Sequence, residues 1–290
     1  MIGLTQKKKR KMVSQGGNVR RWVFSLDQRA TGWFRDCLKA AVVSAKQHTT
    51  LEPICILDGD TESDFARWLK NAGVTVIKHE VSFKSELFSD AVIHANQGSP
   101  YNPAQASGAY LRVEAARILE DDVFLYTDCD IMFVADPAPD FYAPKVFGAC
   151  AEIVSEGDHY VETQSFNSGV MVVNRANFVQ KVEGFIEFCR ARNFYSRQHS
   201  SYDQTHLNLY FGHEWEKMSP NLNWRPFQGI GEAASIIHFH GPKPQRIDKI
   251  LSGEASAQEI DSMRHLINSN IDSYAYYVGR FNEFLKEADS

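Results

Sequence analysis

Short apolar runs alternate with amphipathic stretches along the first 130 residues, and this alternation narrows the fold more than any other feature of the chain. The predicted strands cover residues 22–27, 53–57, 74–77 and 123–126. The predicted helices between them cover residues 31–47, 62–71 and 109–119. Strands that alternate with helices form a mainly parallel sheet covered on both faces. We therefore predict an α/β fold whose strands end along one edge, where ligands bind.

The second half of the chain is less regular. Strands are predicted over 146–152, 168–173 and 235–239, and helices over 178–192 and 203–211. Beyond residue 250 the pattern weakens to polar helices with aromatic clusters. We predict a flexible tail over 1–18, one α/β domain over 19–250 with halves at 19–135 and 136–250, and a C-terminal helical extension over 251–290.

Composition and charge exclude several classes of protein. The 290 residues are 43% hydrophobic and 23% charged, which is typical of a globular protein. A net charge of −5 argues against a nucleic-acid partner. The five cysteines form no CxxC pair, and no stretch approaches the ~20 apolar residues of a membrane span. We therefore expect a cytoplasmic protein with buried free thiols.

A basic run at Lys7-Lys8-Lys9-Arg10-Lys11 contrasts with the acidic remainder. One interpretation is a solvated, disordered start. The other is attraction to an anionic membrane surface, here the inner membrane, or to an anionic lipid-linked substrate. Both interpretations stay open from sequence.

Asp128 and Asp130 follow the predicted strand over 123–126. In a strictly extended chain both carboxylates would lie on one face, where they would repel each other without a cation between them. Mn²⁺ or Mg²⁺ takes oxygen ligands and neutralises diphosphate. The alternative is a solvated acidic loop, but the position at the binding edge favours a metal site.

A second constellation is HFHGPKP, residues 238–244. On a strand His238 and His240 share one face, so one imidazole could complete the metal site. Gly241 would permit close approach of a phosphate, and Lys243 would supply a compact positive charge. The alternative without a functional role is a pair of ordinary surface histidines before a Pro-rich turn.

Two further segments carry polar groups next to apolar ones. Asn167 and Ser168 enter an apolar strand and could face a hydroxyl-rich substrate, although a turn also favours Asn-Ser-Gly. Asp203 and Gln204 begin a short helix, where Asp203 could be a plain N-cap.

Taken together, these segments resemble family 8 glycosyltransferases, the group that includes glycogenin and bacterial lipopolysaccharide galactosyl- and glucosyltransferases. The resemblance runs from about residue 23 to residue 244. It rests on the order of an arginine-bearing helix, LYTDCD (125–130), FNSGVMVVN (166–174) with DQTHLN (203–208), and HFHGPKP.

The resemblance implies a GT-A fold with a Rossmann-like nucleotide-binding half, a sugar-nucleotide donor, usually UDP-linked, Mn²⁺, and retention of the anomeric configuration. By position, Asp128, Asp130 and His238 look like the metal ligands. The implied donor contacts are Asp27, Arg112, Asp128, Asn167, Ser168, Gly241 and Lys243. Asp203 and Gln204 would lie by the anomeric carbon, with Gln204 on the face where a nucleophile or ion-pair stabiliser is needed.

The chain departs from the family pattern at two places. The closing motif is HxxGxKPQ instead of HxxGxxKPW, which leaves His240 as an alternative metal ligand. Asp27 is followed by Gln28-Arg29-Ala30 where an aromatic residue is more usual.

The predicted function is metal-dependent sugar transfer from a nucleotide sugar to a hydroxyl of a glycan or lipid-linked saccharide. A sugar-nucleotide nucleotidyltransferase would carry a Gly-rich basic loop after the first strand, which residues 27–32 match poorly. A metal-dependent hydrolase would place HxH near its start. A non-catalytic nucleotide- or glycan-binding module is the remaining alternative.

Overall fold

The computed structural model describes residues 19–27, 32–156, 159–267 and 270–290, so the basic run and residues 28–31 lie outside the described chain. The strands are β1 (Arg21–Asp27), β2 (Glu52–Asp58), β3 (Thr75–Lys78), β4 (Val123–Thr127), β5 (Ile131–Phe133), β6 (Phe147–Glu156), β7 (His159–Asn174), β8 (Trp215–Lys217) and β9 (Ile236–His238). The helices are α1 (Trp33–His48), α2 (Asp64–Asn71), α3 (Lys84–Leu87), α4 (Asp90–Ala95), α5 (Pro103–Ile118), α6 (Arg175–Arg190), α7 (Gln204–Phe211), α8 (Pro244–Leu251), α9 (Ala257–Ile267) and α10 (Ile271–Ala288).

Seven strands form one sheet in the order β3-β2-β1-β4-β7-β6-β8. The first four are parallel, β7 runs antiparallel to both of its neighbours, and β8 is parallel to β6. A separate two-stranded antiparallel sheet pairs β5 with β9. The predicted mixed, mainly parallel α/β sheet is therefore confirmed.

Strand β1 shows why the sheet is covered on both faces. Trp22 and Phe24 pack in one apolar cluster with residues of α1 and α2, whereas Val23 packs in another with residues of α5. Alternate side chains of a strand point to opposite faces, and both faces here are apolar. All three side chains have no exposed surface, so β1 is a central strand buried by helices on either side.

The chain turns out of the large sheet at Asp128, between β4 and β5. The amide of Asp128 still donates to the carbonyl of Gly169 in β7 (2.8 Å), but Asp130 already accepts from the amide of Phe239 (2.9 Å). The strictly extended geometry considered for Asp128-Cys129-Asp130 is thus replaced by a bend. The bend carries Asp130 to the small sheet, where Ile131 is paired with His238.

The β6–β7 pairing contains a register shift beside this bend. Ala149 is paired with Met171, but the next residue, Cys150, is paired with Asn167. Strand β7 therefore contributes three extra residues, among them Ser168 and Gly169, that do not pair with β6. Such bulges redirect side chains near functional sites. The Asn-Ser-Gly segment is part of a bulged strand, and the alternative of a simple turn is wrong.

Several elements begin earlier than the sequence indicated or were not predicted. Helix α5 begins at Pro103, six residues before the predicted start, because the Asn102 side chain accepts from the amides of Ala104 and Gln105. Strand β7 begins at residue 159 instead of 168. Short helices α3 and α4 and the three-residue strands β5 and β8 were not predicted because they are too brief for a periodic pattern. Helix α8 was also not predicted.

The C-terminal helix α10 packs on α1 and on the loop before β9. Its hydroxyl-bearing Ser273 donates to the carbonyl of Pro226 (2.7 Å), and Tyr277 accepts from the amide of Gly231 (2.9 Å). Its aromatic residues share an apolar cluster with β5 and β9. The helix therefore supports the small sheet from behind. Among the described helices, none combines the length and apolarity needed to cross a membrane.

Candidate active site

A cleft of about 450 Å³ opens at the carboxyl ends of β1 and β4. Its polar lining includes Asp27, Arg112, Asp128, Asp130 and Lys243. The volume is within the range of small-molecule sites. The structure thus brings five of the sequence-predicted site residues to one cleft at the expected edge of the sheet.

Two aromatic residues that the sequence did not single out as site residues also line this cleft. Trp33 and Phe34, at the start of α1, stack with ring centres 3.7 Å apart and stay more than a third exposed. The Lys243 ammonium lies 5.6 Å from the Trp33 ring centre. One wall of the cleft is therefore aromatic, although the segment directly after β1 carries no aromatic residue.

Asp128, Asp130 and His238 offer ligand atoms that all lie within 4.8 Å of one another. The Nε2 atom of His238 is 3.4 Å from Asp130 Oδ1. The ring centre of His240 lies 5.4 Å from that of His238, and His240 is not part of the three-residue group among the described residues. Burial, followed by neighbouring His238, lowers the pKa of His240 to about 4. The geometry favours His238 over His240 as the third ligand.

Positive charge already surrounds Asp130. The Lys243 ammonium donates to Asp130 Oδ2 and to the carbonyl of Phe239 (2.9 Å). Burial would raise the pKa of the Asp130 carboxyl, but Lys243 and His238 outweigh burial and hold it well below the ordinary value. The Asp130 carboxyl is therefore ionised at neutral pH. Two carboxylate oxygens and one imidazole nitrogen suit a divalent cation such as Mn²⁺ or Mg²⁺.

Arg112 joins the metal group to the segment at the start of α7. Its Nη2 donates to Asp128 Oδ1 (2.7 Å), its Nη1 donates to the carbonyl of Ser168, and its Nε lies 2.5 Å from Asp203 Oδ2. Asp203 occupies the N-cap position of α7, but its side chain makes no cap hydrogen bond to the helix and is paired with Arg112 instead. Burial raises the pKa of the Asp203 carboxyl in spite of the guanidinium beside it. Arg112 thus fixes the two carboxylates relative to each other.

Gln204 is held by a dense set of hydrogen bonds. Its Oε1 accepts from Asn167 Nδ2 (3.2 Å), from the Ser168 amide (3.1 Å) and from the Ser168 hydroxyl (3.2 Å). Its Nε2 donates to Glu152 Oε2 (3.1 Å), which also accepts from Asn167 Nδ2 (2.9 Å). These four residues form one continuous hydrogen-bonded cluster next to Arg112 and Asp203, which we call the amide wall.

Glu152 is the member of the amide wall that sequence reasoning missed. Its neighbour Arg225 is completely buried, donates to the carbonyl of Ala151 and lies 3.5 Å from Glu152 Oε1. Burial would raise the pKa of the Glu152 carboxyl, but His240 and Arg225 outweigh burial and lower it. A carboxylate at the end of the apolar run FGACAE was the available signal, because such a group needs a partner when buried.

The remaining predicted residue, Gly241, has a φ of 103°, a conformation that favours glycine over any residue with a side chain. It allows the chain to turn between β9 and Lys243. The sequence also missed Asn223, which contacts His238 and Asn167.

Comparison with known proteins agrees with this architecture. The fold is similar to that of the galactosyltransferase LgtC, solved with donor and acceptor sugar analogs, over 92% of this chain and 95% of that one (15% identity, TM-score 0.58). It is also similar to the glycosyltransferase GlyE of Streptococcus pneumoniae TIGR4 over 93% of this chain and 64% of that one (16% identity, TM-score 0.55). The fold is the GT-A fold of glycosyltransferases.

Sequence comparison assigns the family. Residues 32–244 match the family model described as glycosyl transferase family 8, and the chain belongs to that family. Glycosyltransferase GlyA of Streptococcus pneumoniae serotype 4 is 27% identical over 183 residues, which are 60% of this chain and 25% of that protein. The aligned part of this chain thus spans about a quarter of that relative's length. The resemblance drawn from the motifs is confirmed, and the chain contains a family 8 glycosyltransferase domain.

Replacing Arg112 with lysine should preserve the charge and lose the simultaneous contacts to Asp128, Asp203 and the Ser168 carbonyl. An ammonium group has no planar fork, so it cannot hold the two carboxylates in one geometry. We expect kcat/KM for the donor to fall by about 10- to 100-fold, as for the loss of residues that orient a metal ligand. Steady-state kinetics measure this, and the control is Arg197→Lys, at an exposed arginine that donates to the carbonyls of Ala95 and Gln97.

Proposed function

We propose that the protein transfers a sugar from a nucleotide-sugar donor, with UDP as the expected nucleotide, to a hydroxyl of a saccharide acceptor, with retention of configuration. The observation that carries this proposal is the group of Asp128, Asp130 and His238 beside the cleft. The reaction would depend on Mn²⁺ or Mg²⁺ held by these three residues. A bound divalent cation supplies Lewis-acid stabilisation of the leaving diphosphate.

The protein's own charges complement that role. Lys243 lines the cleft with a compact ammonium that would contact an oxygen of a bound diphosphate. Arg112 adds a second fixed cation at the cleft wall. Negative charge grows on the diphosphate as the glycosidic bond breaks, so both cations stabilise the transition state more than the ground state.

The amide wall would face the donor sugar, with Asp203 and Gln204 close to the anomeric carbon. The Gln204 carbonyl oxygen already accepts from three donors, which leaves it poorly suited to attack carbon. This bonding supports a role for Gln204 in orienting the sugar and favours same-face attack by the acceptor. Glu152 has a carboxylate that can accept from sugar hydroxyls.

The acceptor that we propose is a bacterial surface polysaccharide or a lipid-linked oligosaccharide. The proposal rests on the family and on the basic run at residues 7–11, which could attract an anionic surface. Family membership favours glycosyl transfer over the nucleotidyl-transfer and hydrolysis alternatives.

A panel of UDP-sugars tested by thermal shift in the presence of Mn²⁺ identifies the donor. A ligand that binds only the folded state adds about 2.7 kcal/mol at about 100 times its Kd. We expect one UDP-sugar to raise Tm in the presence of Mn²⁺ and to do so far less with chelator. If no nucleotide sugar raises Tm in either condition, the proposed donor class is wrong.

A further inference from the structure

Two buried amide side chains lie in a line behind the metal-facing histidine. Asn167, Asn223 and His238 each have about 1% of their surface exposed. Asn223 Nδ2 donates to Asn167 Oδ1 (3.0 Å), and Asn223 Oδ1 lies 2.9 Å from His238 Nδ1. In this series of contacts, knowing which atom donates at one end determines which atom donates and which accepts in every other contact.

A main-chain amide at one end determines the order of hydrogen-bond donors and acceptors along these side chains. The amide of Gly169 can only donate, and it lies 3.0 Å from the Asn167 side chain, so the facing atom is the carbonyl oxygen Oδ1. That oxygen also faces Asn223, which must therefore present its NH₂ group. The other end of the Asn223 side chain is then its carbonyl oxygen, which can only accept.

An acceptor opposite His238 Nδ1 requires the proton of a neutral imidazole to be on Nδ1. The Nε2 atom of His238 then carries a lone pair and points toward Asp130, at 3.4 Å. This is the tautomer that a metal ligand needs, because a protonated nitrogen cannot coordinate.

We propose that Asn223, itself oriented by Asn167, is a positioning residue that sets the tautomer and ring orientation of His238 for metal binding. The proposal rests on the proposed metal-dependent function but concerns a property that the metal-free protein also has. Asn167 Nδ2 donates at the same time to Glu152 and Gln204. Asn223 therefore connects His238 to the amide wall, of which Asn167 is a member.

The tautomer is measured directly by NMR of metal-free protein with ¹⁵N-labelled histidine, at about pH 8, above the ordinary histidine pKa. The His238 ring is assigned from the signals that disappear in His238→Gln. We expect the wild-type ring to carry its proton on Nδ1. In Asn223→Leu, which offers no acceptor, we expect Nδ1 to lose this preference. A wild-type ring that carries no proton on Nδ1 overturns the proposal.

Calorimetry with Mn²⁺ alone measures the consequence for binding. Asn223→Leu should weaken Mn²⁺ affinity about 10- to 100-fold, the usual effect of removing a group that orients a metal ligand. Asn223→Asp keeps an acceptor for Nδ1, so we expect it to retain the wild-type tautomer and to lose less affinity than the leucine variant. Equal Mn²⁺ affinity in wild type and Asn223→Leu contradicts the proposal.

Asn96→Leu is the matched control, because Asn96 is also buried and donates to the carbonyls of Val92 and Asn193. It should lower the free energy of unfolding and leave Mn²⁺ affinity within about twofold of wild type, about 0.4 kcal/mol. If wild type binds no Mn²⁺ at all, the proposed metal dependence fails, while the NMR result still decides the tautomer. The two failures are therefore distinguishable.

Discussion

Replacing Asp130 with asparagine is expected to lower kcat/KM by at least about a hundredfold. Loss of a group that only orients a metal ligand typically lowers activity by about 10- to 100-fold, and here a charged ligand itself would be lost. The substitution preserves size and removes the charge that faces both Lys243 and His238. The Lys243 ammonium would lose its anionic partner, and we expect a loss of roughly 1–3 kcal/mol in the free energy of unfolding. Steady-state kinetics and denaturant unfolding measure the two effects.

Asp122→Asn is the control for this experiment. Asp122 directly precedes β4, at the end of the strand opposite Asp128, and its side chain is exposed. We expect its kinetics to equal those of wild type and its stability to change by less than about 0.5 kcal/mol. Normal turnover by Asp130→Asn would contradict the proposed metal site.

A methyl group on Gly169 should have the second largest effect. An added Cβ would lie 2.2 Å from His238 Cε1 and 2.8 Å from its Nδ1, distances that require the imidazole to move. We expect Gly169→Ala to lower the free energy of unfolding by about 1–3 kcal/mol, as overpacking does. We also expect Mn²⁺ affinity to fall by at least about tenfold, because the ring can no longer lie between Asn223 and Asp130.

Gly279→Ala supplies the matched control for this substitution. Gly279 lies within α10, and an added Cβ would meet nothing within 4 Å. The change should be neutral or stabilise the protein by up to about 1 kcal/mol, because alanine is the better helix former. Unchanged Mn²⁺ affinity in Gly169→Ala would show that His238 does not need this close approach, and would contradict its place in the metal group.

The parts of the fold that the sequence predicted are those with a regular local pattern. The apolar run at 22–27 and the periodic stretch at 31–47 became β1 and α1 because strand and helix periodicity act over a few residues. The strand over 235–239 was likewise predicted and became β9, but the bend at Asp128 and the short strand β5 have no such pattern. The bend and β5 form because Ile131 pairs with His238, a contact between residues more than 100 positions apart.

The residues of the candidate site also include some that the sequence predicted and some that it did not. Asp128, Asp130 and Lys243 were identified because their residue types and spacing match known chemistry, and the cleft brings them together. Glu152 and Asn223 were missed because each is a single polar residue whose meaning depends on a partner distant in sequence. The partner is Gln204 for Glu152 and His238 for Asn223, and only the packed structure shows these contacts.

The central claim is that a cation held by Asp128, Asp130 and His238 activates a nucleotide-sugar donor in the cleft. Release of UDP from the donor identified by thermal shift, measured without acceptor in the presence of Mn²⁺ or of chelator, tests it most directly. We expect Mn²⁺ to accelerate release by at least about a hundredfold, and the acceleration to vanish in Asp130→Asn. Equal rates with Mn²⁺ and with chelator would contradict the claim.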